Sequence, residues 1–495
     1  MINDTPPAAI NETLQKASTA FHQYSKYALK QRAAFMRAIA SALQNSGDEL
    51  IKTAMEETNL PEARLKGEKA RTVFQLNSYA DACERGDWLA ASIDTAAPNS
   101  NPQKPDIRKT LVPLGPVVVF GASNFPFAFS TAGGDTACAF AAGCPVIVKA
   151  HPGHAQTSTA VAALIMQAAV ECKMPDGIFA HVYGASFGVG EALVKHPLTK
   201  AVSFTGSYVG GKQLFDWGNQ RKEPIPVFAE MGSINPVFLL PEKLKTSPTD
   251  LAKTLAASVT LGVGQFCTNP GLIIGIEGDD LQHFIAAMGN EMKNIAPSKM
   301  LHPGIATSYA AKRAKALEQE NVTVIAEAAM PETDHCGAAI IATVTGETFL
   351  SNELLQQEVF GPYTLVVRCR DMAEMTTAAH NLEGQLTCTI MATENELSQQ
   401  QELIALIKDR CGRMVFNGVP TGVEVCLSMQ HGGPFPATTD ARFTSVGADG
   451  IKRFVRPVAY QNWPDQLLPD ELKNDNPLHI YRTVNNELTK GKIES

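Results

Sequence analysis

Cysteines and aromatics are scarce in this sequence, and no long apolar run is present. Ten cysteines in 495 residues are too few for a disulfide scaffold, and none form a CxxC pair. The longest apolar stretch, near residues 160–170, is too short to cross a bilayer and carries Gln167. An excess of positive charge is also missing. The chain has 42 basic and 50 acidic residues, a net charge of −8 and no basic run, which argues against a phosphate backbone as partner. The first residues, Met1-Ile2-Asn3-Asp4-Thr5-Pro6-Pro7, have neither a basic start nor an apolar core and do not read as a signal peptide. The expectation is a globular, cytoplasmic protein with no membrane or nucleic-acid partner. At 44% hydrophobic, it is long enough for two or three domains around a cleft.

Two textures follow one another along the chain. Residues 12–95 are rich in Ala, Leu, Gln, Lys and Glu with few breakers, and read as helical. From Val117, short β-branched runs alternate with helix-like segments: Val117–Phe120, Val146–Val148, Ile178–Tyr183, Ala201–Phe204 and Pro226–Ala229. Near-continuous apolar strands separated by helices predict a parallel sheet covered on both faces. A second alternating series runs from Val237 to about Phe416, with strands expected at Leu272–Ile276, Val322–Ile325, Thr364–Val367 and Cys388–Met391. Two Pro-rich stretches, Asn99–Pro105 and Pro457–Pro469, belong to neither series. The tail Thr489–Ser495 is polar and reads as frayed.

Four short segments could carry chemistry. In Gly264-Gln265-Phe266-Cys267-Thr268-Asn269-Pro270-Gly271 a cysteine lies between turns, where a thiolate in an electropositive setting could act as nucleophile. A buried structural cysteine is the plainer reading. Glu230 ends the apolar run Val227-Phe228-Ala229, which places a carboxylate at the crevice edge of a parallel sheet. It suits a general base there, or equally a salt-bridged strand terminus. Asn124, in Gly121-Ala122-Ser123-Asn124-Phe125-Pro126, offers an amide donor to an oxyanion or simply shapes a turn. Ser203-Phe204-Thr205-Gly206-Ser207, then Gly210-Gly211-Lys212, is a strand, a glycine turn and a helix start of the kind that binds phosphate, without the full dinucleotide fingerprint.

Taken together, the order and spacing of these segments resemble the aldehyde dehydrogenase superfamily over nearly the whole chain. Val148-Lys149 and Glu358-Val359-Phe360-Gly361-Pro362 add to the match. Within the superfamily the chain looks most like the branch of α-ketoglutarate semialdehyde (2,5-dioxovalerate) dehydrogenases and related bacterial NADP-dependent fatty-aldehyde dehydrogenases. The residues that carry this are Val119–Phe127, Ala132-Gly133-Gly134-Asp135-Thr136 and His431–Asp440.

The resemblance implies an α/β fold with two doubly wound domains and a small β oligomerisation extension. Residues 1–102 and 117–236 would form the NAD(P)-binding domain and 237–440 the catalytic domain. Residues 103–116 and 455–481 would join subunits of a homodimer or homotetramer. By the same resemblance Cys267 is the nucleophile, Glu230 the base for deacylation and Asn124 an oxyanion donor. Lys149, Gly206, Ser207, Gly211, Glu358 and Phe360 would hold the coenzyme, and Phe127, Phe266 and His431 would line the substrate pocket. No metal is expected.

The implied reaction oxidises an aldehyde to a carboxylic acid, with α-ketoglutarate semialdehyde as substrate and medium- or long-chain aliphatic aldehydes as the alternative. A glutamate at position 230 favours hydrolysis over transfer to coenzyme A, and Cys267, Glu230 and Asn124 together argue against a non-catalytic member. Two departures stand out. Many relatives follow the lysine with Pro-Ser-Glu, whereas this chain reads Lys149-Ala150-His151-Pro152, and Tyr208-Val209 replaces the usual Thr-Glu. Without that acid, and with His151 and His154 nearby, NADP is expected to be accepted and preferred over NAD.

Overall fold

The computed structural model describes residues 3–330 and 334–494. Four helices open the chain: α1 (Pro7–Tyr24), α2 (Leu29–Gln44), α3 (Asp48–Thr58) and α4 (Glu62–Arg85). Two of them stop where the backbone turns left-handed, α3 at Asn59 and α4 at Gly86. The helical texture therefore ends short of residue 95, and Ser92–Asp94 is a strand, β1.

The first sheet contains β3 (Val117–Phe120), β4 (Val146–Lys149), β5 (Phe179–Val182), β6 (Ala201–Thr205) and β7 (Val227–Glu230). Their order is β5-β4-β3-β6-β7, with every neighbouring pair parallel. Val117, Val119, Val146 and Val148 pack with α2, α4, α5 (Gly134–Ala142) and α6 (Ala155–Glu171). Val118, Phe120 and Ile147 pack with α1, α7 (Phe187–Lys195) and α8 (Tyr208–Asn219) on the opposite face. Because both faces are covered, the strands are apolar at nearly every position, and this is why they were legible as runs. The strand order reverses at β3, where a crevice opens beyond the carboxyl ends of the strands.

A second, seven-stranded sheet has the order β11-β13-β14-β9-β8-β15-β16. These are β8 (Val237–Leu239), β9 (Leu272–Ile276), β11 (Thr323–Glu327), β13 (Ile340–Thr345), β14 (Tyr363–Cys369), β15 (Gln385–Met391) and β16 (Cys411–Phe416). All its pairs are parallel except the edge strand β11, which runs antiparallel to β13. Two short strands, β10 (Ser298–Lys299) and β12 (Cys336–Gly337), form a separate antiparallel ribbon.

The segments outside both series meet in a third sheet. Its order is β17-β2-β1-β18-β19, with β2 (Ile107–Pro113), β17 (Val455–Gln461), β18 (Arg482–Val484) and β19 (Glu487–Thr489). The tail is not frayed, contrary to its polar composition. Beyond β19, Asn476 donates to Lys490 O, Arg482 to Gly491 O, and the Ile493 N–H to Asn474 O. Among the described residues no helix is long and apolar enough to cross a membrane.

The loop carrying His431 is threaded against the starts of β15 and β16. A Cβ on Gly412 would stand 2.0 Å from Gly432 O, and one on Gly433 would stand 2.1 Å from Gln385 O. Both obstacles are backbone atoms, so only glycine allows the approach. Gly412→Ala is expected to displace this loop, lower Tm by several degrees and cut turnover sharply. Thermal unfolding and initial rates check it, and an unchanged Tm would show that the loop gives way at no cost.

Candidate active site

Two sheet edges supply the functional side chains. From the first sheet, Asn124 follows β3, Lys149 ends β4, Ser207 follows β6 and Glu230 ends β7, all at carboxyl ends of strands. From the second sheet the residues precede strands: Cys267 lies before β9 and Glu358 before β14. The segment 431–445 ties the two edges. The Met231 N–H donates to Ala437 O (2.9 Å) and the Thr439 N–H to Ala229 O (3.0 Å), so the segment runs along β7 and lays His431 over Glu230.

The central cluster is tight. His431 Nε2 stands 3.2 Å from Glu230 Oε2 and 3.6 Å from Cys267 Sγ. The Ser445 hydroxyl donates to the same carboxylate oxygen at 3.3 Å. Glu230 and His431 are 4% and 2% exposed. Burial pushes the Glu230 carboxyl up, but the facing His431 and hydrogen bonds from Cys267 and Ser445 outweigh it and hold the group below its ordinary value. Burial, reinforced by Glu230 and Glu358, pushes the Cys267 thiol well above its ordinary range, while Arg71 pulls the other way. The resting pair is thus a carboxylate and a neutral thiol. This corrects the expected electropositive setting, because the contact of Glu230 and the field of Glu358 outweigh the opposing pull of Arg71. A nucleophile can still form here if Glu230 accepts the thiol proton as sulfur attacks. Glu230, Cys267 and His431 also have the make-up of a metal-ligand group.

Two N–H donors belong to the segments that meet around Cys267. Asn124 is buried and uses one amide hydrogen on Gln265 O at 3.1 Å, which leaves its second hydrogen for another acceptor. The Cys267 N–H makes no hydrogen bond among the described residues. A pair of N–H groups so placed can stabilise an alkoxide.

Aromatic side chains form one wall. Phe125 meets Phe266 and Phe129 edge-on at 5.6 and 5.3 Å, and the Arg64 guanidinium lies over both Phe125 and Phe266. Phe266 thus packs with Phe125 and Arg64, whereas Phe127, expected beside it in the pocket, does not join them. Phe127 is fully buried in the core with Phe140, and its N–H and that of Ala128 donate to Glu68 Oε1 at 2.8 and 3.0 Å. The turn after Asn124 points Phe125 and Phe129 outward in its place.

The residues expected at the coenzyme spread along the same edge. Ser207 caps α8, accepting from the Gly210 N–H at 3.3 Å, and it is exposed with Gly206 and the first helical turn. Gly211 faces the other way. A Cβ there would stand 2.4 Å from Met231 Cγ, so its absence lets α8 lie close on β7. Glu358 accepts weakly from the Ser233 N–H (3.5 Å). Burial, with Glu230 adding and Lys312 opposing, pushes its carboxyl up to about 7. Phe360 follows, half-buried.

Lys149 is half-buried, and its ammonium feels Asp4. The Asp4 carboxylate accepts from the Ala185 N–H at 2.9 Å, while Thr5 and Tyr183 exchange bonds beside it. The histidines do not supply the expected positive charge. His154 is fully buried with its ring bonded to Ala122 O at 2.8 Å, and His151 Nδ1 accepts from the Gly153 N–H. Burial holds both below the ordinary imidazole range.

Comparison with known proteins agrees with this geometry. Residues 2–440 match the profile of the Aldehyde dehydrogenase family. The chain belongs to the aldehyde dehydrogenase family. Alpha-ketoglutaric semialdehyde dehydrogenase 2 of Azospirillum brasilense is 46% identical over 488 residues, covering 98% of this chain and 92% of that protein. Alpha-ketoglutaric semialdehyde dehydrogenase of Acinetobacter baylyi is 45% identical, covering 97% and 92%. Among solved structures, a Thermus 1-pyrroline-5-carboxylate dehydrogenase with bound NAD superposes with a TM-score of 0.78 at 19% identity, over 92% of this chain and 86% of that one. The chain is an oxidoreductase, and the reaction of its family is oxidation of an aldehyde with a nicotinamide coenzyme.

Sequence reasoning missed Ser445, Asp4 and the arginines of α4. Their contacts span long separations, 215 residues for Ser445 to Glu230 and 60 for Arg64 to Asn124. Only the helical spacing of Arg64, Glu68 and Arg71 on one face of α4 could have pointed to the arginines.

Removing the Glu230 charge removes one cause of the raised thiol pKa. Glu230→Gln is therefore expected to shift the pH midpoint of iodoacetamide alkylation of Cys267 downward. Peptide mass spectrometry across pH 6–10 follows it, and an upward shift would show that Glu230 does not face the thiol.

Proposed function

We propose that this enzyme oxidises α-ketoglutarate semialdehyde to 2-oxoglutarate through a thioester on Cys267. The observation that carries the mechanism is the contact of Cys267 with both Glu230 and His431. Sulfur adds to the aldehyde carbon as Glu230 takes the thiol proton. The new oxyanion lies toward Asn124 Nδ2 and the Cys267 N–H. A nicotinamide coenzyme, when bound, would supply the hydride acceptor; loss of hydride from the carbon on sulfur converts the thiohemiacetal into a thioester. Glu230 passes the thiol proton to solvent and then takes a proton from the water that releases the acid and restores the thiol. A small cavity lined by Glu230, His431, Thr438 and Ser445 supports water access on that side. Glu230 also favours hydrolysis over transfer to coenzyme A.

The names of the two relatives at 45–46% identity support the substrate. A panel of aldehydes tests it. kcat/KM for the acidic semialdehyde is expected to exceed that for hexanal by at least tenfold, and the reverse order would overturn the reading. Cys267→Ala should abolish turnover. Glu230→Gln, above the lowered thiol range, should give one burst of reduced coenzyme and then stall. Continued turnover would remove Glu230 from deacylation.

The cleft edge fits a nicotinamide dinucleotide: an open helix N-terminus for the pyrophosphate, Lys149 for the adenosine ribose, and Glu358 with Phe360 for the nicotinamide end. We infer that NADP is preferred, since Pro152 stands where many relatives hold a repelling acid. Lys149 must supply the charge alone. Asp4 competes for it, so Asp4→Asn should raise the NADP-to-NAD ratio of kcat/KM and Lys149→Ala should lower it. Equal losses for both coenzymes would show that Lys149 does not read the phosphate. Glu358 accepts hydroxyl hydrogens more strongly, and at both oxygens, when ionised. Coenzyme binding should therefore tighten as pH rises through about 7, and Glu358→Gln should flatten that dependence in fluorescence titrations. The third sheet joins Ile107–Pro113 to Val455–Gln461, parts of the two segments read as joining subunits, and so supports a homodimer or homotetramer; the bacterial relatives support a cytoplasmic location.

A further inference from the structure

A substrate with a carboxylate at its far end needs a cation within reach of the sulfur, and one face of α4 presents a candidate. Arg64, Glu68 and Arg71 occupy successive turns of that face. Arg64 is committed, donating to Asn124 O at 2.8 Å and stacked between Phe125 and Phe266. Glu68 is committed through one oxygen to the Phe127 and Ala128 amides.

Arg71 differs from both. Its Nε and Nη2 are buried without a hydrogen-bond partner, and no carboxylate approaches it within ion-pair distance among the described residues. Arg71 as a whole is half-buried, but these two nitrogens have lost hydration without replacing it, a cost that structures normally avoid. Its position is fixed by aromatic contacts. The guanidinium carbon lies 5.6 Å from the Phe129 ring centre, and that ring is 6.1 Å from the ring of His431, which touches Cys267. Glu68 and the exposed Glu424 lie near enough to exert a field on it, and so does Cys267.

A second cation, on the other sheet, lies near enough to exchange a field with Cys267. Arg413 on β16 is braced by Gly422 O and Pro420 O, with its Nε buried and unpartnered, and it too senses Cys267. A five-carbon semialdehyde bonded to the sulfur would extend about 6 Å from it to its carboxylate, by ordinary bond lengths.

We propose that Arg71 binds the distal carboxylate of the substrate, with Arg413 adding positive field, and so makes the enzyme specific for acidic semialdehydes. This rests on the substrate reading above. The unpartnered Nε and Nη2 form the two-donor edge that a carboxylate accepts side by side. A neutral aldehyde would leave that edge unpaired, which turns an attraction for one substrate into discrimination against the other.

The test compares α-ketoglutarate semialdehyde with pentanal in the wild type, Arg71→Met and Arg71→Lys, and measures competitive inhibition of pentanal oxidation by 2-oxoglutarate. Arg71→Met is expected to lose about a hundredfold more in kcat/KM toward the semialdehyde than toward pentanal, mostly in KM. Inhibition by 2-oxoglutarate should weaken in parallel, and Arg71→Lys should recover part of both. Equal losses for the two substrates, or intact inhibition in Arg71→Met, would overturn the clamp while leaving the substrate reading standing. A wild type that prefers pentanal and ignores 2-oxoglutarate would overturn both. Should Arg71→Met fail to fold, the Lys variant decides: a semialdehyde-to-pentanal ratio equal to that of the wild type, with equal inhibition, counts against the clamp.

Discussion

A carboxylate buried as deeply as Glu230 keeps its charge only while something facing it offsets the lost hydration, and here that is the His431 ring at 3.2 Å. Much of the architecture serves that one contact. β7 delivers the carboxylate, the segment 431–445 bonds along β7 to deliver the imidazole, and glycines at 412 and 433 let that segment pass close to the second sheet. The same charge sets the state of the sulfur, since a carboxylate beside a thiol holds the proton on sulfur until an electrophile arrives. A neutral resting thiol is also less open to oxidation than a standing thiolate.

The site depends on two different kinds of sheet edge. Carboxyl ends of parallel strands gather loops at a crevice, which is the usual place for ligands in such folds. The second sheet contributes through loops entering its strands, at Cys267 and Glu358. Joining the two edges brings Cys267 from one unit against Glu230 from the other, so neither unit holds the cluster alone.

Most of the strand pattern was legible because both faces of the two parallel sheets are covered, which leaves uninterrupted apolar runs. Val117–Phe120 and Leu272–Ile276 match their predicted bounds. The reactive positions were legible because loops at strand ends carry recognisable residue types at fixed spacings. What stayed hidden depends on direction and burial. Phe125, Phe127 and Phe129 are alike in sequence, and only the turn decides that the middle one enters the core. His151 and His154 read as nearby cations, yet burial leaves them uncharged. The tail reads as frayed by composition, but its hydrogen bonds run to the backbone and do not require apolar side chains.

That tied tail has a consequence for how the protein is made. β1 is flanked on one side by β18, and Thr95 bonds Asn485 across a separation of 390 residues. During synthesis nearly the whole chain must leave the ribosome before the third sheet can close. Until then Ile93, Leu468 and Leu472, which share one apolar cluster, have no finished shelter, and one edge of β1 stays open to strays. Residues 482–489, which carry β18 and β19, therefore act as the latch on a nascent chain whose two larger sheets can form before them.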